Sequence, residues 1–134
     1  MKILTDHNIS PRVARALNAF VERPDGSCVI ALRDRFAPSI SDIEWVRELG
    51  RDGGWSVLSG DLRIHKNKAE RAAWMQTALI GYFLEPGLAA LRPVELASRL
   101  LLRLEVIETQ SRLISGPAMF SIPLRNSSAL RQVR

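Results

Sequence analysis

Short, nearly continuous apolar runs alternate with capped amphipathic stretches along the whole chain, and that alternation leaves few folds open. Runs at residues 2–5, 28–32, 55–59, 78–84 and 118–123 lack the in/out pattern of a half-solvated sheet, so they read as strands covered on both faces. Helical starts lie between them. Ser10-Pro11 is an N-cap with proline at the first helical position, and Val13, Leu17 and Phe20 follow on one face. Ser41-Asp42-Ile43-Glu44 fits a capping box, with Ile43, Val46 and Leu49 behind it and Gly50 as the stop. Asn67 caps a further helix. Pro93 opens the longest, expected to end near Leu113, before Ser115-Gly116-Pro117. The order β-α-β-α-β-α-β-α-β predicts a parallel sheet with right-handed crossovers and helices on both faces. In such sheets chemistry collects beyond the carboxyl ends of the strands, where the strand order reverses.

Composition sets the outer bounds. At 134 residues, 46% of them hydrophobic, the chain is expected to form one domain over 1–134 with a real core, and wholesale disorder is excluded. The apolar run at 79–84 is stopped by Glu85 and Pro86, far short of the roughly 20 residues a spanning helix needs. No apolar signal region precedes the first acid, so no membrane association and a cytoplasmic location are expected. The lone Cys28 permits neither an internal disulfide nor a thiolate metal cage and reads as an apolar filler. Nineteen Lys and Arg oppose fourteen Asp and Glu, a net charge of +5. No acid follows Glu108, whereas Arg112, Arg125, Arg131 and Arg134 do. This reads as a basic C-terminal tail from about residue 125 and suggests an anionic partner, either nucleic acid or an acidic protein.

Acids stand where such a fold does its chemistry. The first strand runs into Thr5-Asp6-His7-Asn8, the second into Leu32-Arg33-Asp34, the third into Ser59-Gly60-Asp61, and Asp42 lies in the first turn of a helix. Carboxylates gathered at one sheet edge are hard oxygen donors suited to Mg²⁺ or Mn²⁺. Their mutual repulsion would lift at least one of them above a normal aspartate. Simpler roles compete. Asp6 also suits the start of a turn, Asp34 an ion pair with Arg33 or Arg35, and Asp42 the helix dipole. Glu44 is explained by its capping box. Gly60 lets backbones approach closely beside Asp61. Neither a dinucleotide fingerprint nor a phosphate-binding P-loop is present. His7 and His65 are too isolated for a zinc site, and His65 reads as an RNA contact or a surface residue. Trp45, Trp55 and Trp74 read as packing. A phosphoacceptor receiver-like domain fits poorly, because Asp6 stands alone and the last strand ends in Pro123-Leu124-Arg125 rather than at a lysine.

Three segments carry a resemblance: Ile3-Leu4-Thr5-Asp6-His7-Asn8-Ile9, Ser41-Asp42-Ile43-Glu44-Trp45-Val46, and Val57-Leu58-Ser59-Gly60-Asp61-Leu62-Arg63-Ile64. Their order and spacing resemble the PIN-like domains, and within them the small toxin ribonucleases of VapC type, over roughly residues 1 to 84. The resemblance implies a three-layer α/β/α fold with a five-stranded, mainly parallel sheet of order 3-2-1-4-5. It implies a Mg²⁺- or Mn²⁺-dependent endoribonuclease that hydrolyses phosphodiesters as the toxin of a toxin–antitoxin pair. RNA and a cognate antitoxin would be its partners, and a homodimer a further expectation. Asp6, Asp42 and Asp61 match the family's acids as catalytic and metal-holding residues, with Asn8 orienting one of them. The family's fourth acid has only Glu85 as a poor counterpart. Arg63, Lys66, Lys68 and Arg71 follow closely and suit flanking RNA phosphates, or else a solvated helix face. The alternative is a PIN-like module that binds RNA or protein without cutting.

Overall fold

Local signals in the sequence set the elements. The computed structural model describes residues 1–61 and 66–133. Strand β1 (Lys2–Thr5) leads into α1 (Pro11–Val21), whose first turn is capped by the Ser10 side chain. Strand β2 (Cys28–Ala31) passes directly into a single turn, α2 (Leu32–Arg35). Helix α3 (Asp42–Asp52) carries the expected capping box between Ser41 and Glu44. It runs through Gly50 and stops at Gly53, whose φ of +80° is left-handed and suits only glycine well. Gly50 is small for another reason, since a Cβ there would lie 2.5 Å from Thr77 Cγ2 at the end of the neighbouring helix. Strand β3 (Trp55–Ser59) is followed by α4 (Lys68–Met75), capped by Asn67, and β4 (Ile80–Leu84) by the short α5 (Pro86–Ala89). Helix α6 (Pro93–Leu113), β5 (Ala118–Ile122) and β6 (Arg131–Gln132) complete the chain.

The architecture is α/β, with helices on both faces of a sheet dominated by parallel pairs. It corrects the expected topology in three ways. The sheet has six strands in the order β2-β1-β3-β4-β5-β6, not five in the order 3-2-1-4-5. All five residues of β3 are buried, so it needs a neighbour on each edge and takes the place beside β1. Cys28 and Ile30 in β2 are half-exposed, as suits an edge strand. The basic tail is not free either: β6 pairs antiparallel with β5, and the Val133 amide donates to the Met119 carbonyl at 2.8 Å.

Each face has its own core. On one side α1 and α6 cover Ile3, Leu58, Tyr82 and Phe120; on the other α3 and α4 bring Trp45 and Trp74 onto Leu4, Val57, Phe83 and Met119. This placement corrects the third expectation. The connections β3-α4-β4 and β4-α6-β5 step in the same direction along the sheet with their helices on opposite faces, so they cannot both be right-handed. The first three crossovers share one hand, and the long connection through α5 and α6 has the other. Burial explains it: without α6, Tyr82, Leu84 and Phe120 would have no cover beyond α1.

Arg103 of α6 is buried and, among the described residues, has no carboxylate partner. Its guanidinium donates to the carbonyls of Ser128 (2.7 Å), Pro123 and Arg125, fixing the turn that returns the tail to β5. Burial lowers its pKa. Among the described residues no helix is long and apolar enough to cross a membrane.

Candidate functional site

The strand order reverses between β1 and β3, because β1 connects leftward to β2 and β2 returns across β1 to β3. Ligands in open parallel sheets bind at this point, beyond the carboxyl ends of the strands. Asp6 and Asp61 follow those two strand ends.

Asp6 is held from both sides. Its amide donates to the Leu58 carbonyl at 3.0 Å, extending the β1–β3 pairing by one step, and its carbonyl accepts from the Ile9 amide at 3.1 Å. The Oδ1 atom accepts from the Asn8 amide (3.1 Å) and from the Gly60 amide (3.2 Å). The Oδ2 atom accepts from the Ser59 hydroxyl. Asp6 therefore does make the local turn that its residue type suggests, and it adds two bonds to the opposite strand end. Ser59 is the hub: its Oγ also accepts from the Asp61 amide at 3.0 Å. Gly60 permits the approach, since a Cβ there would stand 3.1 Å from Asn8 Cβ.

Asp6 is 1% exposed. Burial pushes its carboxyl above the ordinary aspartate value, opposed by the hydrogen bonds from Ser59, Gly60 and Asn8 and by the nearby His7. The rise expected from repulsion between carboxylates is present, but its cause is desolvation.

The other expected residues fall as follows. Asn8 acts through its backbone N–H, not its exposed side chain. Asp61 is half-buried and tied by its backbone to Ser59. Asp42 is bound elsewhere: its Oδ1 accepts from the Trp45 indole at 2.9 Å, and it lines a cleft of about 470 Å³ with His7, Leu32, Arg33 and Ile40. Asp34, exposed in α2, takes no part, and Arg35 pairs with Asp52 at 3.2 Å and stacks on Trp55. Glu85 accepts from Ser121 Oγ at 3.3 Å and lies 4.0 Å from Arg131, which directs it to β5 and β6. Lys66 and Lys68 are exposed at the start of α4, whereas Arg71 is half-buried with its Nη1 3.7 Å from Met119 Sδ. Arg63 and His65 lie outside the described residues. Trp45, Trp55 and Trp74 are buried, as packing residues.

Among the described residues no three His, Cys, Asp or Glu side chains gather as a metal cage. The donor set fits a cation of smaller demand. Mg²⁺ commonly takes one or two carboxylates and completes its shell with water and substrate phosphate, and the Asp6 carboxylate with the Ser59 hydroxyl, and Asp61 tied to Ser59 through its backbone, are the oxygen-bearing residues available. Three contributors escaped the sequence reading. Ser59 is the residue that joins Asp6 to Asp61, and its signal was its place two residues before the second acid. Arg33 and His7 put cationic or ionisable groups beside Asp42 in the cleft, and each stands two residues past a strand end.

Residues 1–86 match a family model described as a PIN-like domain. No curated protein and no solved structure matches.

Proposed function

The chain belongs to the PIN-like domain family, whose fold is of nuclease type, and from that premise we propose that it is a Mg²⁺- or Mn²⁺-dependent endoribonuclease acting as the toxin of a toxin–antitoxin pair. One observation carries the reading: a buried aspartate at the reversal point of the sheet, fastened by Ser59 to the strand end that bears a second aspartate. Asp6 and Asp61 would hold the cation. When bound it supplies a water of lowered pKa and neutralises charge on the phosphate oxygens. Ser59 and the Gly60 and Asn8 amides fix the Asp6 carboxylate in place and oppose the rise that burial imposes on its pKa. His7 and Arg33 line the adjoining cleft and face the RNA backbone, with Asp42 on the same wall. Lys66 and Lys68 extend the cationic path toward flanking phosphates.

The test is cleavage of single-stranded RNA by purified protein. Activity is expected with Mg²⁺ or Mn²⁺ and is expected to vanish in excess EDTA and in Asp6→Asn, and expression of wild type but not of this variant should arrest growth. Asn keeps Oδ1 for the Asn8 and Gly60 amides and offers Nδ2 to Ser59 Oγ, so the variant should fold with stability within about 1 kcal/mol of wild type or above it. Undiminished cleavage in EDTA refutes the mechanism. A second reading, an RNA- or protein-binding module without cleavage, is favoured by two observations: both Asp6 oxygens already accept hydrogen bonds, and no three-acid cage forms among the described residues. RNA binding with no cleavage under any divalent cation would establish it.

A further inference from the structure

The cleft that adjoins Asp6 combines an apolar wall with one carboxylate. Leu32 opens α2, and Pro38 and Ile40 lie in the loop before α3; the polar lining is His7, Arg33 and Asp42. Its volume, about 470 Å³, falls among those of small-ligand sites. Asp42 is held in a fixed attitude there. Ser41 and Glu44 cap α3 between them, so the Asp42 carboxylate is not needed for the cap. Its Oδ1 accepts from the indole of Trp45, a wholly buried ring that cannot follow a moving partner. That bond uses one acceptor position and orients the carboxylate. Oδ2 and a second lone pair on Oδ1 remain. Among the described residues no cation pairs with Asp42, although Arg33 lines the same cleft.

A preset carboxylate with both oxygens able to accept selects a ligand that carries two parallel N–H donors. Among the RNA bases only guanine has them, N1–H beside the 2-amino group on its Watson–Crick edge. Adenine and cytosine set an amino group beside a ring-nitrogen lone pair, and uracil sets one N–H between two carbonyls. Each of these would turn a lone pair toward the carboxylate. Unstacked bases are commonly gripped in this way, by hydrogen bonds to the edge and by apolar or aromatic contact with the faces. We propose that the cleft is a guanine pocket: the purine packs on Leu32, Pro38 and Ile40, Asp42 accepts from its N1–H and 2-amino group, and His7 and Arg33 hold phosphate of the same strand. The inference rests on the reading of this site as one that binds RNA, and it names the nucleotide. Because His7 directly follows Asp6, cleavage would fall beside a guanosine.

The probes are uridine octamers carrying one central guanosine, inosine, adenosine or cytidine, with all-uridine as reference. They are bound to the full chain in EDTA, so that no cleavage intervenes, and fluorescence anisotropy gives each Kd. The guanosine octamer should bind about tenfold more tightly than the adenosine, cytidine and uridine ones, the discrimination that one bidentate base contact supplies. Inosine, which lacks the 2-amino group, should lose most of that gain. Asp42→Asn keeps an oxygen for the Trp45 indole but sets a donor against guanine's donors. The five octamers should then bind alike, with an unchanged circular dichroism spectrum. Arg33→Gln should weaken all five equally and flatten their salt dependence. Equal binding of the octamers by wild type, or none, overturns the proposal, as does a guanosine preference that survives Asp42→Asn. Guanosine-selective binding without cleavage would refute the nuclease reading and leave the pocket standing, whereas metal-dependent cleavage with no guanosine preference would do the reverse.

Discussion

Replacing Ser59 by alanine removes the donor to Asp6 Oδ2 found among the described residues and leaves the Asn8 and Gly60 amides on Oδ1. It also removes the acceptor of the Asp61 amide. A hydrogen bond to a charged group contributes about 1.5–3 kcal/mol, and one between neutral groups about 0.5–1.5. The loss should therefore depend on pH. Burial already holds the Asp6 carboxyl above its ordinary value, and the Ser59 bond is the largest influence opposing it. Without that bond the folded-state pKa rises further. A raised pKa means that the fold prefers the protonated acid, so stability falls as pH climbs from the unfolded value near 4 through the folded one. In Ser59→Ala that fall continues to higher pH than in wild type. The expected deficit is about 1 kcal/mol at pH 3.5, where Asp6 is neutral in both, and about 2–3 kcal/mol at pH 8. Urea denaturation of both proteins at several pH values measures it, with no divalent cation present. A deficit that is constant across this range, or that shrinks as pH rises, would refute the assignment of Ser59 as the anchor of a buried ionised carboxylate.

Two further outcomes test the frame around the site. Asp42→Ala should cost about 1–2 kcal/mol in urea denaturation, because the fully buried Trp45 loses its indole acceptor, while Asp42→Asn should recover most of the loss. Gly116→Ala should cost more than about 3 kcal/mol or prevent accumulation of folded protein, since its Cβ would stand 2.1 Å from the Ala78 carbonyl oxygen, a backbone atom that cannot swing aside; a thermal melt within a few degrees of wild type would contradict this.

Much of the fold was legible because its signals are local. Ser10-Pro11, the Ser41–Glu44 box and Asn67 cap helices where their residue types predict, and β1 and β3 have the expected bounds. The strand order was not legible, because neighbours in a sheet are chosen by which strand is most deeply buried, and that is a property of the whole packing. Nor was the hand of the last crossover, which depends on which face still lacks cover. The pairing of β6 escaped because a two-residue strand carries no periodicity, and its anchor, Arg103, reads in sequence as one more helix cation. At the candidate site, Asp6 and Asp61 do follow the strand ends after which the sequence puts them. Asp42 shows the limit of that argument: its helix cap was readable, but the turn of its carboxylate toward Trp45 depends on the side chain's direction in space.

The family match ends at residue 86, just past β4, yet β4 pairs with β5 through five residues and shares its core with α6. The boundary of recognisable ancestry is therefore not a boundary of folding. A fragment ending there would present a bare strand edge and an uncovered half of the hydrophobic layer, a combination that favours aggregation. Residues 87–133 supply the far edge of the sheet and the cover of one of its faces. Engineering that swaps this half between relatives would have to match the inner faces of α6 and β5 to β4 before any change in binding could be read from it.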